Sequence, residues 1–361
     1  MLYTSDVMQT DLKELADTKY IPWEKLRKST VLITGAGGML AYYAVCILMY
    51  LNEKNDADIH VIALVRSREK AQEKFSNFLQ DTRFMLLCQD VCDKIQVTDS
   101  VDYIIHAAGA ASPHFIKKDP LGIIRANTEG TLRVMELARQ KRVKSVLYTS
   151  TREVYGKVEG KEWIGEDDMG TLDPLDARSC YPESKRMAEQ ILRSCHEMFA
   201  TPFQVVRIAH SYGPGMGIEN DGRVMSDFVS DVVHGRNIVL KSSGMAKRAF
   251  CYVTDAVAAI FLVMLAEEQN QAYNVANESE ARPIREVAQI LTELLPERGL
   301  RLEYEQGADQ SGYCQYERVG LDTAKLRRMG WRPQVALKEG LGRTLRSFGC
   351  EGDEEIERCI I

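Results

Sequence analysis

A tyrosine and a lysine four residues apart, Tyr181 and Lys185, are the residues best suited to chemistry in this sequence. The apolar residues that follow recur at helical spacing, so both side chains are predicted to lie on one face of a helix. A free tyrosine loses its proton only near pH ~10. An ammonium about 4 Å away offers roughly 4 kcal/mol toward the phenolate at an effective dielectric near 20. The pair is therefore predicted to form a base that takes a proton from an alcohol, although this spacing also occurs by chance in surface helices.

A glycine-rich turn near the start of the chain is predicted to bind a cofactor. Residues 30–34 form a short β-branched run, Gly35 and Gly38 follow it, and an apolar helical pattern runs from Met39 to Leu51. Backbone N–H groups at the start of such a helix favour a diphosphate, and glycine lets the backbone approach it. Gly35, Gly38 and Met39 are therefore predicted to contact a dinucleotide, with a plain tight turn as the alternative.

The end of the next predicted strand bears on the choice of cofactor. Residues 59–65 are followed by Arg66 and Arg68, with no carboxylate at the strand end. An NAD site usually places Asp or Glu there for the ribose hydroxyls, whereas arginine accommodates the 2′-phosphate of NADP. Arg66 therefore favours NADP, and a pair of solvated surface arginines is the alternative interpretation.

Two further predicted strands end in residues that suit a dinucleotide. Asp90 and Val91 follow one of them and are predicted to touch an adenine. Ala107 and Ala108 follow the other, and small side chains at that position let a cofactor lie close. His106 comes directly before them and is interpreted as a packed histidine rather than a catalytic one.

A hydroxyl and a carboxylate stand at the end of the strand predicted over residues 144–151. The carboxyl ends of parallel strands are where doubly wound sheets bind ligands. Thr151 and Glu153 are therefore predicted to lie at the ligand-binding edge of the sheet.

Strand-like and helical segments alternate up to about residue 150, which predicts an α/β fold. We expect a doubly wound parallel sheet of the Rossmann type with a smaller C-terminal lobe for substrate. Asp255 is predicted to cap the apolar helix that follows it. The expected division is a lead-in helix over residues 1–28, a dinucleotide-binding domain over 29–208 and about 249–270, a substrate-binding lobe over about 209–248 and 271–349, and a flexible tail over 350–361.

Composition argues against several classes of function. The 361 residues carry a formal net charge of -6 and no Lys/Arg-rich run, which is untypical of nucleic-acid binding. The longest apolar stretch, from Met39 to Leu51, is too short to span a bilayer. Nine scattered cysteines are predicted to be reduced thiols, and no metal site is expected. Because the N-terminus has neither a basic nor an apolar leader, the sequence predicts a cytoplasmic protein.

Together, these motifs resemble an extended short-chain dehydrogenase/reductase of the NAD-dependent nucleotide-sugar epimerase/dehydratase family. The resemblance covers about residues 30–348, and it is greatest toward members like the UDP-glucuronate decarboxylases. The motifs that carry it are Gly35-x-x-Gly38, Asp90-Val91, His106-Ala-Ala, Ser150-Thr-Arg-Glu-Val-Tyr-Gly156, Arg178-Ser-Cys-Tyr181-x-x-x-Lys185, Arg207 with Tyr212-Gly-Pro-Gly, Asp221-Gly-Arg-Val224 and Arg248-Ala-Phe-Cys-Tyr-Val253.

The resemblance implies a reaction and assigns residues to it. Such enzymes oxidise the C4 hydroxyl of a nucleotide-diphosphate sugar with bound nicotinamide, lose CO2 from the 4-keto acid and return the hydride. By position, Tyr181 is the base, Lys185 lowers its pKa and holds the ribose, and Thr151 hydrogen-bonds the O4 hydroxyl. Glu153 supports the sugar ring or a proton transfer. The residues that the resemblance places on the substrate side are Arg152, His210, Arg223, Arg248 and Arg318.

Departures from the family pattern leave alternatives open. Arg152 stands where 4,6-dehydratases carry a general-acid Asp, which argues against elimination of water from C6, and His210 stands where Asn is usual. The alternatives are a 4,6-dehydratase, a 4-epimerase and an NADPH-dependent 4-keto reductase, with NAD or NADP as cofactor. A non-catalytic dinucleotide-binding sensor is the alternative class, which the intact Tyr181 and Lys185 disfavour. The family also implies a homodimer through helices at about residues 121–140 and 181–199.

Overall fold

The computed structural model describes residues 2–305 and 320–350. Seven parallel strands form its central sheet, and helices cover both faces. The strands, numbered along the chain, are β1 (Thr30–Thr34), β2 (His60–Val65), β3 (Phe84–Cys88), β4 (Tyr103–His106), β5 (Ser145–Thr151), β6 (Trp163–Ile164), β7 (Phe203–Ile208), β8 (Ser211–Tyr212), β9 (Ile238–Leu240), β10 (Lys247–Arg248), β11 (Cys251–Tyr252), β12 (Gln271–Val275), β13 (Arg282–Pro283), β14 (Leu302–Tyr304) and β15 (Gly320–Leu321). The α-helices are α1 (Asp6–Ala16), α2 (Met39–Asn55), α3 (Arg68–Lys74), α4 (Pro113–Lys118), α5 (Pro120–Lys141), α6 (Cys180–Phe199), α7 (Val224–Val233), α8 (Val253–Met264), α9 (Ile284–Glu293), α10 (Ala324–Arg328) and α11 (Leu337–Arg346).

The strand order of the central sheet is β12-β7-β5-β4-β1-β2-β3, which confirms the predicted doubly wound fold. The chain moves outward from β1 to β3 and then returns to β4 on the other side of β1. Such a switch in direction leaves a crevice at the carboxyl ends of the two strands, where ligands bind. The register pairs Thr34 with His106 at that edge, so the glycine turn and the end of β4 lie side by side.

Successive side chains of β1 enter two separate apolar cores. Val31 and Ile33 belong to a core shared with α1, α2 and α8, whereas Leu32 belongs to a core shared with α5 and α6. Side chains alternate because successive residues of a strand point to opposite faces. Because β1 is buried on both faces, its sequence is a continuous apolar run rather than an alternating one.

One buried carboxylate fastens the N-terminal segment to the rest of the molecule. Asp11 of α1 is 0% exposed, and its Oδ2 accepts hydrogen bonds from the hydroxyls of Tyr43 at 2.7 Å and Tyr252 at 2.8 Å. Its Oδ1 accepts a hydrogen bond at 2.7 Å from Arg343, which also pairs with Glu14. These residues, here called the Asp11 cluster (Asp11, Glu14, Tyr43, Tyr252 and Arg343), join α1 to α2, α11 and the start of α8.

Two predictions about the C-terminal half are wrong. The predicted boundary at residue 270 falls one strand early, because β12 pairs with β7 as part of the central sheet. Asp255 does not cap α8, whose N-cap is Tyr252. The Asp255 carboxylate instead accepts hydrogen bonds from the backbone N–H groups of Gln334 at 2.8 Å and Val335 at 3.3 Å. This acid lies inside the first turn of the helix, and the donors that satisfy it come from a distant segment.

Several predictions are not tested by these elements. Arg318 and residues 351–361, which hold most of the predicted tail, lie outside the described residues. The wider division into two lobes stays a prediction. Among residues 2–305 and 320–350, none of the helices is both long and apolar enough to cross a bilayer. The same residues contain no cluster of three or more His, Cys, Asp or Glu side chains suited to a metal ion.

Candidate active site

The glycine turn lies between β1 and α2 and packs against the end of β4. Gly35 has a φ of +64°, and a Cβ there would lie 2.7 Å from the carbonyl oxygen of Ala107, so glycine is required on both grounds. Gly38 is the N-cap of α2 and offers no side chain to the first N–H groups. Met39, the first residue of α2, is half-buried. The start of α2 is therefore suited to an anion such as a diphosphate.

A lysine that the sequence did not single out supports this turn. Lys74, the last residue of α3, donates from Nζ to the carbonyl oxygen of Gly37 at 2.8 Å. The same ammonium lies 4.6 Å from the centre of the Tyr42 ring. Burial lowers the pKa of Lys74 below its ordinary value. This contact joins two elements that are far apart in sequence, and no local pattern indicates it.

A threonine and a histidine hold the carboxyl ends of β1 and β4 together. Thr34 Oγ1 accepts hydrogen bonds from the N–H groups of Ala107 and Ala108, each at 3.2 Å, and lies 2.7 Å from His106 Nδ1. His106 Nε2 lies 3.0 Å from the hydroxyl oxygen of Thr131 on α5. Burial lowers the pKa of His106 to about 3, so the ring is neutral at physiological pH. The interpretation of His106 as a packed histidine is confirmed.

A buried amide and a buried ammonium converge beside Gly109. Asn127 Nδ2 donates to Ser184 Oγ at 2.9 Å, whereas Asn127 Oδ1 has no hydrogen-bond partner among the described residues. A Cβ on Gly109 would lie 2.7 Å from Asn127 Oδ1 and 3.9 Å from Lys185 Nζ. Buried polar atoms are almost always paired, so an unpaired acceptor here suits a polar ligand. Together with the glycine turn, these residues fit a dinucleotide cofactor.

The predicted catalytic residues meet at the start of α6. Tyr181 and Lys185 both lie on this helix, and the Tyr181 hydroxyl hydrogen-bonds the Thr151 side chain. Thr151 Oγ1 accepts a hydrogen bond at 3.3 Å from the N–H of Glu153, on the short turn that follows β5. The Glu153 carboxylate accepts two hydrogen bonds from Arg178, at 2.7 and 3.0 Å. Arg178 belongs to the Arg178-Ser-Cys-Tyr181 motif, but no local pattern indicates this contact.

The effect of Lys185 on the pKa of Tyr181 stays a prediction. Burial raises the pKa of Tyr181 above its ordinary value, and the charge of Glu153 raises it further. Burial also lowers the pKa of Lys185 to about 7. The Lys185 ammonium donates to a backbone carbonyl of β5 at 2.8 Å. The influences that lower the pKa of Tyr181 are the hydrogen bond from Thr151 and the charges of Arg223 and Arg178.

A buried ion pair supports the strand behind these residues. Arg207 of β7 donates to Glu189 of α6 from Nε at 3.1 Å and from Nη2 at 2.6 Å, and to the Tyr155 hydroxyl at 3.0 Å. Ser150 Oγ also donates to Glu189, and the Tyr155 hydroxyl donates to Asn274 of β12 at 2.6 Å. This network fixes β5, α6, β7 and β12 relative to one another, so it holds Thr151 opposite Tyr181.

The arginines predicted on the substrate side occupy three separate elements. Arg152 is half-buried on the turn that carries Glu153. Arg223 is exposed just before α7 and donates to the carboxylate of Asp221, with one bond of 2.9 Å. Arg248 lies on β10, and its guanidinium donates to the Lys247 carbonyl at 2.9 Å. The charge of Arg223 lowers the pKa of Tyr181, so Arg223 acts electrostatically on the site. The substrate roles of all three arginines stay predictions.

His210 adopts a backbone conformation that few residues adopt. Its φ is +31°, its side chain is exposed, and its ring centre lies 5.8 Å from that of Phe250. Residues other than glycine rarely have positive φ, and Asn, Asp and His are the most tolerant. The conformation gives a physical reason for Asn at this position in the family pattern and for His in this chain.

The remaining cofactor residues lie at the carboxyl ends of β2 and β3. Arg66 is exposed directly after β2. Asp90 is exposed, and its Oδ1 accepts a hydrogen bond from the Cys92 N–H at 2.9 Å. Val91 is buried, and a Cβ on Gly130 of α5 would lie 2.8 Å from its side chain. Their predicted contacts with a dinucleotide stay predictions.

A surface recess of about 460 Å³ lies between the start of α4 and the loop before α7. α4 also carries Ile116, which packs with Tyr181 and Ile123, so one helix contributes to the recess and packs against the predicted base. A second recess, of about 330 Å³, lies beside Tyr20 and contains none of the predicted site residues. The residues that line the first recess are Ser112, His114, Phe115, Gly217, Glu219, Asn220 and Asp221.

Known proteins share both the sequence and the fold of this chain. Residues 31–276 match the model of the NAD dependent epimerase/dehydratase family. The UDP-glucuronic acid decarboxylase 6 of Arabidopsis thaliana is 32% identical over 312 residues, which cover 86% of each chain. The UDP-glucuronic acid decarboxylase 1 of Danio rerio is 31% identical over 339 residues, which cover 94% of this chain and 77% of that one.

Solved structures agree with the fold. A UDP-glucose 4-epimerase of Thermotoga maritima with UDP-glucose has a TM-score of 0.75 at 22% identity, covering 89% of this chain and 98% of that one. A UDP-glucuronic acid 4-epimerase of Bacillus cereus, in complex with UDP-glucuronic acid and NAD, has a TM-score of 0.72 at 17% identity, covering 89% and 99%. The chain therefore belongs to the NAD dependent epimerase/dehydratase family, in which it is an enzyme similar to the UDP-glucuronic acid decarboxylases.

Proposed function

We propose that this enzyme transiently oxidises C4 of UDP-glucuronate and releases the sugar carboxyl group as CO2. The observation that carries the proposal is the meeting of Tyr181, Thr151 and Glu153 at the carboxyl edge of the sheet, beside Lys185. The substrate is taken from the decarboxylases that this chain resembles at about 30% identity. The site supplies a base next to a hydroxyl that can hold an alcohol, which is what oxidation at C4 requires.

The residues of the site divide the work of proton transfer. The phenolate of Tyr181 takes the proton of the C4 hydroxyl, which Thr151 holds by a hydrogen bond. A nicotinamide dinucleotide held by the glycine turn of Gly35 and Gly38 and by Lys185 would supply a positively charged, reversible hydride acceptor. The C4 ketone is β to the C6 carboxylate, so the C5–C6 bond breaks, CO2 leaves and the electron pair forms an enolate. Glu153 orients the sugar while C5 takes up a proton, and Tyr181 finally returns its proton to O4.

Analysis of products by mass spectrometry tests this function. The purified enzyme is incubated with UDP-, dTDP-, GDP- and CDP-sugars, and we expect UDP-glucuronate alone to lose the mass of CO2. Loss of the mass of water from a neutral sugar nucleotide would indicate a dehydratase, an isomer of equal mass an epimerase, and stoichiometric consumption of NADPH a 4-keto reductase. Each of these results would replace decarboxylation as the function.

A conservative substitution tests the role of Tyr181. Tyr181→Phe keeps the ring that packs on Ile116 and Ile123 but removes the hydroxyl, so turnover is expected to fall about a thousandfold or more. Dinucleotide binding, followed by fluorescence or calorimetry, should persist because the glycine turn is untouched. Unchanged turnover would remove Tyr181 from the mechanism.

The choice between NAD and NADP is proposed to depend on Arg66. The absence of a carboxylate at the end of β2 removes the group that excludes a 2′-phosphate, and Arg66 is exposed there to meet one. Arg66→Ala should therefore weaken binding of NADP and leave that of NAD unchanged, whereas Lys70→Ala on α3 should change neither. Equal effects of Arg66→Ala on the two dinucleotides would refute this role.

The homodimer is proposed to form through α5 and α6. These helices pack against each other and still expose large apolar side chains: Leu121 is 71% exposed, Leu132 45%, Met187 51% and Met198 71%. Such side chains are common in subunit interfaces. Sedimentation should give a dimer for the native chain and a monomer for Leu132→Glu/Met187→Glu; a monomeric native chain would contradict the proposal. The cytoplasmic location likewise stays a proposal.

A further inference from the structure

The arginine that precedes Tyr181 by three residues is held against a carboxylate at the wall of the site. Arg178 donates to Glu153 from Nη1 at 2.7 Å and from Nη2 at 3.0 Å, a bidentate arrangement that fixes both side chains. The two side chains are 27% and 26% exposed, so the pair is neither a solvated surface contact nor a sealed one. The Arg178 backbone is held as well, because its N–H donates to Asp176 at 3.0 Å.

Glu153 is fixed from its own side of the site. Its N–H donates to Thr151 Oγ1, whose side chain also hydrogen-bonds the Tyr181 hydroxyl, and the charge of its carboxylate raises the pKa of Tyr181. A negative carboxylate beside a phenol opposes formation of a second negative charge. The guanidinium bound to that carboxylate acts in the opposite direction on the same hydroxyl. Arg178 and Glu153 therefore act on Tyr181 as a compensated pair.

Other charged and titratable groups also face Tyr181. Arg223 favours the phenolate in the same sense as Arg178. Lys185 directs its ammonium to a carbonyl of β5, and the buried Tyr148 lies beneath that ammonium. The charged and titratable groups around the hydroxyl include Glu153 from the turn after β5, Tyr148 from β5, Arg178 from the turn before α6, Arg223 from the loop before α7, and Lys185 from α6.

We propose that Arg178 is a positioning residue: its guanidinium holds the Glu153 carboxylate beside the Tyr181 hydroxyl and offsets the charge of that carboxylate during proton transfer. This inference rests on the proposed function, in which Tyr181 is the base. It assigns Arg178 an electrostatic task that a purely structural anchor does not have. The two roles are separable, because only the first predicts a change in the pH at which Tyr181 becomes active.

The test is the pH profile of hydride transfer, followed as transient absorbance of reduced nicotinamide. In Arg178→Met the charge of the Glu153 carboxylate is no longer offset, so the acid limb of the profile should move to higher pH by about one unit. At neutral pH, kcat should then fall about tenfold while KM changes little. In Arg178→Met/Glu153→Gln both charges are absent, so the limb should return to the position of the native enzyme even if kcat stays low.

A second arginine, on the helix that follows Arg178, serves as the control. Arg186 is half-buried on α6 and donates to the carbonyls of Val154 at 2.6 Å and Gly170 at 2.9 Å. Arg186→Met should lower the melting temperature without moving the acid limb. If Arg178→Met does not fold, Arg178→Lys takes its place: the charge is kept, so the limb should stay while kcat falls.

Two results would overturn the inference. The first is an acid limb that stays in place in Arg178→Met while kcat falls, which would make Arg178 an anchor only. The second is a limb that moves in Arg178→Met and fails to return when Glu153 is also neutralised. Hydride transfer does not require loss of CO2. An enzyme that reduces its nicotinamide without decarboxylating would therefore contradict the proposed function, while its pH profile would still test the role of Arg178 and Glu153.

Discussion

Two arginines of this chain each hold a carboxylate in opposite surroundings. In the Asp11 cluster, the side chain of Arg343 is 8% exposed and that of Asp11 0%. At the candidate site, the side chains of Arg178 and Glu153 are 27% and 26% exposed. The first pair is closed off by tyrosine hydroxyls, whereas the second is partly exposed beside Thr151 and Tyr181. We therefore expect the buried arginine–carboxylate pair to serve stability and the partly exposed pair to serve the chemistry of the site.

The physical basis of this difference is the cost of an unpaired charge. Removing one partner of a buried ion pair leaves the other desolvated and typically costs about 3–5 kcal/mol, whereas exposed pairs contribute roughly 0–1 kcal/mol. A half-exposed pair loses less stability when it is broken, because water reaches the remaining charge. Changes in the Asp11 cluster should therefore act on unfolding, and changes at the site on turnover or binding.

The largest expected effect is in the Asp11 cluster. Asp11→Ala leaves Arg343 without its most buried partner and two tyrosine hydroxyls without an acceptor, so the free energy of unfolding should fall by about 3 kcal/mol or more. Lys13→Ala on the same helix removes only the pair with Asp17, whose side chains are 70% and 65% exposed, and should leave the free energy of unfolding nearly unchanged. Both are measured by chemical denaturation.

Activity per folded molecule separates the two regions in this experiment. For Asp11→Ala it should equal that of the native enzyme at a temperature where the variant is folded, because the cluster contacts none of the catalytic residues. An Asp11→Ala chain that keeps the native stability, or one that is fully folded and inactive, would contradict the assignment of the Asp11 cluster to stability alone. Asp11→Asn retains the shape and one acceptor, and it replaces Asp11→Ala if that chain does not fold.

A second buried acid, Asp255, makes the stability of the folded chain depend on pH. Burial raises the pKa of Asp255 to about 7, against about 3.9 for an unfolded aspartate. The folded chain therefore binds this proton more tightly, so the stability contributed by Asp255 is fully present below about pH 4 and is lost as the pH rises through 7. The span corresponds to about 4 kcal/mol.

The comparison of native chain with Asp255→Asn isolates this group. The native chain should be more stable relative to the variant at pH 5 than at pH 8, by roughly 2.5 kcal/mol, since other ionisable groups cancel in the difference. Stability is read from denaturant unfolding at the two values. A difference that does not vary with pH would show that Asp255 titrates normally in the folded chain.

The same contrast explains what the sequence could and could not predict. The glycine turn, the strand ends and the helix that carries Tyr181 are local patterns, and the structure contains each of them. Asp11 and Arg343 are 332 residues apart, so no periodicity connects them. The same applies to Lys74 and Gly37, which only the folded sheet brings together.

The errors have physical causes of the same kind. β12 begins with two half-buried residues, Gln271 and Ala272, and is only five residues long, so its sequence does not stand out as a buried strand. Asp255 has the composition of a cap, but its carboxylate is satisfied by donors almost 80 residues away. Residue type and spacing indicate which groups can interact, and packing decides which of them do.

A smaller effect, on dinucleotide binding at the candidate site, is expected from replacing Lys74. Its charged hydrogen bond to the Gly37 carbonyl is worth about 1.5–3 kcal/mol to the shape of the turn when desolvated, so Lys74→Met should weaken dinucleotide binding about tenfold. Lys70→Met, on the exposed face of α3, should not change it. Calorimetric titration of each variant with the dinucleotide measures the effect, and equal affinities would assign Lys74 to the scaffold instead.

His210 gives the smallest effect and the finest test of the comparison. Its φ of +31° is better tolerated by Asn and His than by a β-branched residue. His210→Val should therefore cost about 1–2 kcal/mol of unfolding free energy, whereas His210→Asn should be nearly neutral in stability. If His210 also contacts the substrate, His210→Asn should alter KM without altering the melting temperature. The two substitutions at this position would then separate an effect on stability from an effect on substrate binding. A His210→Val variant as stable as the native chain would show that the backbone at this position relaxes and stores no strain.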